Sequence, residues 1–97
     1  MIIEIKRNYE EIVISVSGRL DSITTPMLEK TIEENVNAND DLIFDLKNLK
    51  YISNAGLLLL IKTKDRVRKG FMRIINVCAE VMNEFEINGV TDNFIIE

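Results

Sequence analysis

Ser53 and Asn54 stand in the segment Leu49-Lys50-Tyr51-Ile52-Ser53-Asn54-Ala55-Gly56-Leu57, a polar turn between an apolar run and the start of a helix. At a helix start either side chain can accept a hydrogen bond from free amides of the first turn, and the dipole there favours a negative charge such as a phosphoryl group. Capping and modification of a hydroxyl are thus the two chemistries open to this pair. Carboxylates are also available at Asp21, Asp45 and Asp65, with Asp45 expected at a strand end, hydrogen-bonded near the loop. They have no companions: the chain contains no histidine, which removes the usual general base and the commonest metal ligand. Neither a glycine-rich phosphate loop nor a metal-ligand spacing occurs. The sequence therefore predicts no catalytic residue, no metal site, no cofactor and no enzyme. Cys78 is the single cysteine, so no disulfide forms within the chain. In Ile74-Ile75-Asn76-Val77-Cys78 it suits the core at a strand end, with a reactive thiol as the other reading.

The elements that must position these groups follow from composition and pattern. With 97 residues, 46% of them hydrophobic and 29% charged, the chain suits one small globular domain spanning 1–97 with a single core. Its longest apolar run, Leu57–Ile61, is far short of the roughly 20 residues that cross a bilayer, and Met1-Ile2-Ile3-Glu4 opens no signal peptide. A cytoplasmic protein with no membrane insertion is expected. The net charge of −4 opposes a nucleic-acid backbone. Lys62, Lys64, Arg66, Arg68 and Lys69 form the one basic cluster, a solvated helix face or a rim for docking a protein rather than a nucleic-acid site. Two tyrosines, four phenylalanines and no tryptophan are too scattered for a base-stacking platform.

Ile2–Lys6 and Ile12–Ser17, separated by a polar stretch, read as a β-hairpin. Thr25-Pro26 then supplies a hydroxyl at a helix cap and a proline at the first helical position. Met27, Leu28, Ile32 and Val36 fall on one stripe, which predicts an amphipathic helix over 26–37. A strand over 42–46, a helix over 55–69, a strand over 72–78, a helix about Val81-Met82-Phe85 and a last strand at Phe94-Ile95-Ile96 complete the chain. The order β-β-α-β-α-β-α-β predicts an α/β fold with a mixed sheet, parallel from the third strand onward and covered by helices. The turn holding Ser53 and Asn54 then lies at a carboxyl end of that sheet, where open α/β folds place binding surfaces. Whether the hairpin edge pairs with a second copy is left open by the sequence.

Gly18-Arg19-Leu20-Asp21-Ser22 with Thr25-Pro26, then Asp45-Leu46 and Tyr51-Ile52-Ser53-Asn54-Ala55-Gly56-Leu57, resembles the STAS family, which includes bacterial anti-sigma factor antagonists. The resemblance covers essentially the whole chain. It implies a partner-switching module that binds an anti-sigma factor with serine kinase activity, frees a sigma factor, and is released by phosphorylation. The family's accepting serine or threonine sits two residues before the glycine, and here that position is Asn54. An amide has no hydroxyl to phosphorylate and carries no charge, so Asn54 matches the unmodified state. Ser53 is the nearest hydroxyl that could take over, displaced by about 100 degrees around the helix. The resemblance also carries Asp21, the acidic residue after the Gly-x-Leu turn, whose other reading is an Asx-type turn onto Ile23 or Thr24. The partner surface is thereby expected to comprise Asp21, Ser22, Ser53, Asn54, Ala55 and Leu57. Leu57 and Leu58 read mainly as core, with one leucine at the helix start exposed to a partner. Gly56 reads as a packing requirement. A STAS subunit or regulator of a membrane transport assembly, needing no phosphorylatable serine, is the alternative function.

Overall fold

A computed structural model describes residues 1–9 and 11–97; Glu10, in the expected turn of the hairpin, lies outside the described residues. The elements are β1 (Ile2–Arg7), β2 (Glu11–Leu20), α1 (Thr25–Asn35), β3 (Asp41–Asp45), β4 (Leu49–Ile52), α2 (Asn54–Arg66), β5 (Met72–Ile75), α3 (Ala79–Ile87) and β6 (Ile95–Ile96). β1 pairs antiparallel with β2, and the remaining pairings are parallel, giving the order β1-β2-β3-β5-β6 with β4 attached to the end of β2. This is the mixed α/β sheet expected, with one strand more.

The added strand is β4. β2 is long enough to serve two neighbours in succession: Glu11–Ser15 pair with β3, and Gly18–Leu20 pair with β4. The register shifts between Gly18 and Arg19, and Gly18 takes φ 94, a backbone setting that favours glycine. Arg19 lies opposite Tyr51 in the ladder, and its guanidinium sits 4.1 Å above the tyrosine ring. This cation–π contact fastens the last turn of β2 to β4 just before the chain enters the loops.

The core lies on one face of the sheet. Ile12, Ile14 and Val16 of β2, Leu42 and Phe44 of β3, and Met72 and Ile74 of β5 all join it, together with Leu28 and Ile32 of α1, Leu57 and Leu60 of α2, and Val81 and Phe85 of α3. Strand residues two apart share a face, so the alternate set, Val13, Ser15, Ile43, Asp45, Arg73 and Ile75, forms the other side, which no helix among the described residues covers. Helices thus cover the sheet on one side rather than both. That departs from the usual habit of parallel sheets, and the open side is correspondingly mixed. Ile43, its one buried apolar residue, is flanked in register by Val13 and Arg73. Arg73 pairs with Glu11 at 3.7 Å and Glu97 at 3.2 Å across that face.

Two element ends differ from expectation for local reasons. β5 stops at Ile75 instead of reaching Cys78 because Asn76 adopts φ 60, its amide Nδ2 donating to Asp45 Oδ1 at 3.1 Å. Thr25 is not the cap of α1. The cap position is Thr24, and Thr25 sits inside the first turn with a buried hydroxyl that has no partner among the described residues.

Candidate functional site

The carboxyl ends of β2 and β4 deliver two loops to one place. The first is Asp21–Thr24, leading into α1, and the second is Ser53, leading into α2. A backbone bond ties them directly, the Ser53 N–H donating to Leu20 O at 2.8 Å. Arg19 and Tyr51 hold the strands together one residue earlier.

Asp21 is a turn former. Its Oδ1 accepts from the backbone N–H groups of Ile23 and Thr24, both at 3.0 Å. In return Thr24 Oγ1 accepts from the Asp21 N–H at 2.9 Å and lies 2.7 Å from Arg19 O, to which it donates. The Thr24 amide, chiefly, holds the Asp21 carboxyl below the usual carboxylate range. This is the Asx reading of Asp21, and it orders the loop that presents the side chains of Ser22 and Ile23.

Ser53 is the N-cap of α2. Its Oγ accepts from the Gly56 N–H at 3.3 Å, and its carbonyl accepts from the Leu57 N–H at 3.0 Å. Asn54 follows as the first helical residue, exposed, its amide bonded to nothing among the described residues. No acidic side chain stands in the first turn of α2, so the positive end of the dipole is uncompensated there. Gly56 lets the helix come close: a Cβ on it would lie 2.8 Å from Ile52 Cγ1 and 3.0 Å from Leu20 Cδ2. Substitution there would push α2 off the two strand ends that carry the loops.

Of the residues expected at a partner surface, Asp21, Ser22, Ser53, Asn54 and Ala55 converge on this end of the sheet. Leu57 does not face out. It is 1% exposed, in the core, and the leucine presented to solvent is Leu58, at 57%. Met27 likewise leaves the buried stripe assigned to it, at 54% exposed, because Thr25 and Leu28 take the inward positions of the first turn. Ile23, at 81%, adds a third exposed apolar side chain on the loop before α1; Met27 lies about 200° around α1 from Glu29, the residue that faces α2, so the three stand on separate surfaces of the loops and helices. An apolar side chain in a turn is the sole sequence signal for Ile23. Between the two helices runs a groove of about 280 Å³ lined by Thr25, Glu29, Ala55, Leu58, Leu59 and Lys62.

The remaining candidates are structural in this geometry. Lys62 pairs with Glu29 at 2.7 Å, an ion pair that raises the lysine pKa, and Arg66 caps the end of α1 through Val36 O at 2.8 Å and Glu33 O at 3.0 Å. The basic cluster thus commits two of its cations to surface contacts within the chain. Cys78 is half-buried at the start of α3, its thiol donating to Leu49 O at 3.3 Å. Asp45 ends β3, accepting from the Lys47 N–H at 3.0 Å and from Asn76. Among the described residues no cluster of three or more His, Cys, Asp or Glu could hold a metal ion, and no helix is long and apolar enough to cross a membrane.

A family model described as STAS domain matches residues 2–97. The chain belongs to the STAS family. This STAS domain is 25% identical over 92 residues to the anti-sigma-B factor antagonist of Bacillus subtilis (strain 168), covering 93% of this chain and 84% of that protein. In structure it resembles an anti-sigma factor antagonist from Mycobacterium paratuberculosis, with a TM-score of 0.88, 22% identity, and 98% of this chain and 83% of the other covered. It also resembles part of the murine solute carrier 26 family member A9 anion transporter, with a TM-score of 0.77 and 15% identity, covering 94% of this chain but 16% of the transporter. The last two likenesses show a shared fold.

Proposed function

We propose that this STAS domain is a protein-binding module of the anti-sigma factor antagonist type. It sequesters an anti-sigma factor with serine kinase activity in the cytoplasm, and so regulates sigma-dependent transcription without itself being an enzyme. The reading is supported by one observation above the others. At the exposed first position of α2, directly after a loop tied to the end of β2 at 2.8 Å and one helical turn before the exposed Leu58, stands a neutral amide, Asn54.

A phosphoryl group at this place would bring roughly −1.5 to −2 charges against a bound partner and expel it. Asn54 accepts none, so release follows the abundance of the two proteins rather than a modification. Ser53 keeps its hydroxyl, but its oxygen is the cap of α2, accepting from Gly56. It remains the cap in both free and bound forms.

Calorimetric titration with the cognate anti-sigma kinase, with and without ATP, tests the reading. The complex is expected to persist with ATP. Asn54→Ser becomes a substrate and dissociates when phosphorylated, whereas Asn54→Asp weakens binding by about tenfold or more, about 1.4 kcal/mol of unfavourable charge. Unchanged binding by Asn54→Asp would remove this loop from the interface. Phosphate mapped to Ser53 in the native protein would replace the abundance mechanism with a displaced switch.

The second reading is a STAS subunit or regulator of a membrane transport assembly. The transporter neighbour and the neutral Asn54 favour it. Transport genes beside the coding sequence and co-purification with a membrane protein would select it over the first.

A further inference from the structure

Besides the short branch β4, the path β1-β2-β3-β5-β6 ends in two outer strands, and they differ. β6 is only two residues long, whereas β1 offers six, with no proline or bulge. An edge of that length is a template for another strand unless something blocks it. The direction of its backbone groups is fixed. Asn8 donates its N–H to Glu11 O at 3.0 Å, so in the antiparallel ladder the even-numbered residues of β1 turn their N–H and C=O groups towards β2. Ile3, Ile5 and Arg7 turn theirs outward.

We propose that β1 pairs antiparallel with β1 of a second copy of this chain, on a two-fold axis through Ile5 perpendicular to the sheet. In this register the outward groups of Ile5 exchange bonds with Ile5 of the second copy, and those of Ile3 with Arg7. Glu4 then lies directly opposite Lys6 of the second copy, twice by symmetry, in the closely spaced pairs that leave side chains nearest one another. The two Ile5 side chains, each 38% exposed, meet on the helix-bearing side. Neighbouring registers do not share this complementarity: an axis through Glu4 opposes the two glutamates, and one through Lys6 opposes the two lysines. The charges that would ordinarily protect an edge are therefore self-complementary in one alignment. Because the axis reverses the strands of the second copy, the two Asn54 loops face opposite ends of the joined sheet. The pairing is independent of what binds at those loops.

Sedimentation equilibrium of the chain over a concentration series tests the proposal. A reversible dimer is expected. Glu4→Lys sets lysine against lysine twice and weakens association by about tenfold, while Glu4→Lys with Lys6→Glu restores it. Ile5→Pro removes an outward N–H that β2 does not use, and abolishes the dimer while far-UV circular dichroism stays unchanged. A monomer at about 1 mM, where an association of only about 4 kcal/mol would still show, overturns the proposal. So does a dimer indifferent to Glu4→Lys and Ile5→Pro, or a double variant that fails to restore association.

Discussion

Replacing Ser53 separates its part in the fold from any part in signalling. Its hydroxyl oxygen satisfies the Gly56 N–H, one of the free amides of the first turn of α2. The bond is 3.3 Å, longer than the usual 2.9–3.0 Å, which places Ser53→Ala in the lower half of the known range for lost caps, about 0.5–1 kcal/mol. For a domain of this size the corresponding drop in Tm is about 2 to 8 °C. Ser53→Asp keeps an acceptor at the same place and adds a charge at the positive end of a helix with no acidic residue in its first turn, so it melts at or above the parent temperature. Ser53→Gly falls between, within a few tenths of a kcal/mol of the parent. Thermal and urea unfolding followed by circular dichroism read all three. If Ser53→Ala melted within about 1 °C of the parent, or Ser53→Asp melted below Ser53→Ala, the cap would not be a stabilising element and Ser53 would be free for another role.

Three further outcomes follow from the packing. Gly56→Ala forces a Cβ to within 2.8 Å of Ile52 Cγ1; overpacking of about 1–3 kcal/mol outweighs the better helix propensity of alanine, and urea unfolding shows a net loss of about 1 kcal/mol. Thr25→Val exchanges a buried, unpartnered hydroxyl for a methyl group of the same shape and raises unfolding free energy by about 1 kcal/mol, read in the same assay. Asp40 accepts from both terminal nitrogens of Arg7, at 2.9 and 3.0 Å, and from the Asn37 N–H at 2.7 Å, and the Arg7 contact chiefly holds its carboxyl below the ordinary range. A depressed folded-state pKa stabilises above the unfolded value of about 3.9 and is lost as pH falls through the lowered one, so Asp40→Asn flattens the acid limb of the stability–pH curve while lowering the neutral plateau.

The hairpin, the three helices and the parallel run were legible because each has a local period or punctuation: alternation in β1 and β2, Pro26 at the start of α1, and Gly70 beyond α2. β4 was not. Leu49 and Ile52 are its buried residues with Lys50 and Tyr51 exposed between them, a spacing of three that mimics no strand pattern and arises because Lys50 is an extra residue between the pairs Gly18 with Leu49 and Arg19 with Tyr51, formed with a stretch of β2 far away in sequence. The phase of α2 was hidden for a different reason. Leu57–Ile61 is uniformly apolar, so nothing in it says which leucine faces out. Close approach at Gly56 decides that, turning Leu57 inward and Leu58 to solvent. Asp21 and Ser53 were readable because their roles are bonds to amides two or three residues away. The exposure of Ile23 and Met27 was not, since tertiary packing at the start of α1 decides which side chains turn inward.

The alternating direction of the amides along β1 carries a signature in deuterated water. Glu4 and Lys6 face Ser15 and Val13 with their N–H groups in the ladder, whereas those of Ile3, Ile5 and Arg7 point away from it. Exchange along the strand is therefore a comb, slow and fast on successive residues, and the fast teeth are the ones a neighbouring strand would protect. The edge thus reports its own occupancy, residue by residue, through a rate that depends on protein concentration at Ile3, Ile5 and Arg7 and not at Glu4 and Lys6.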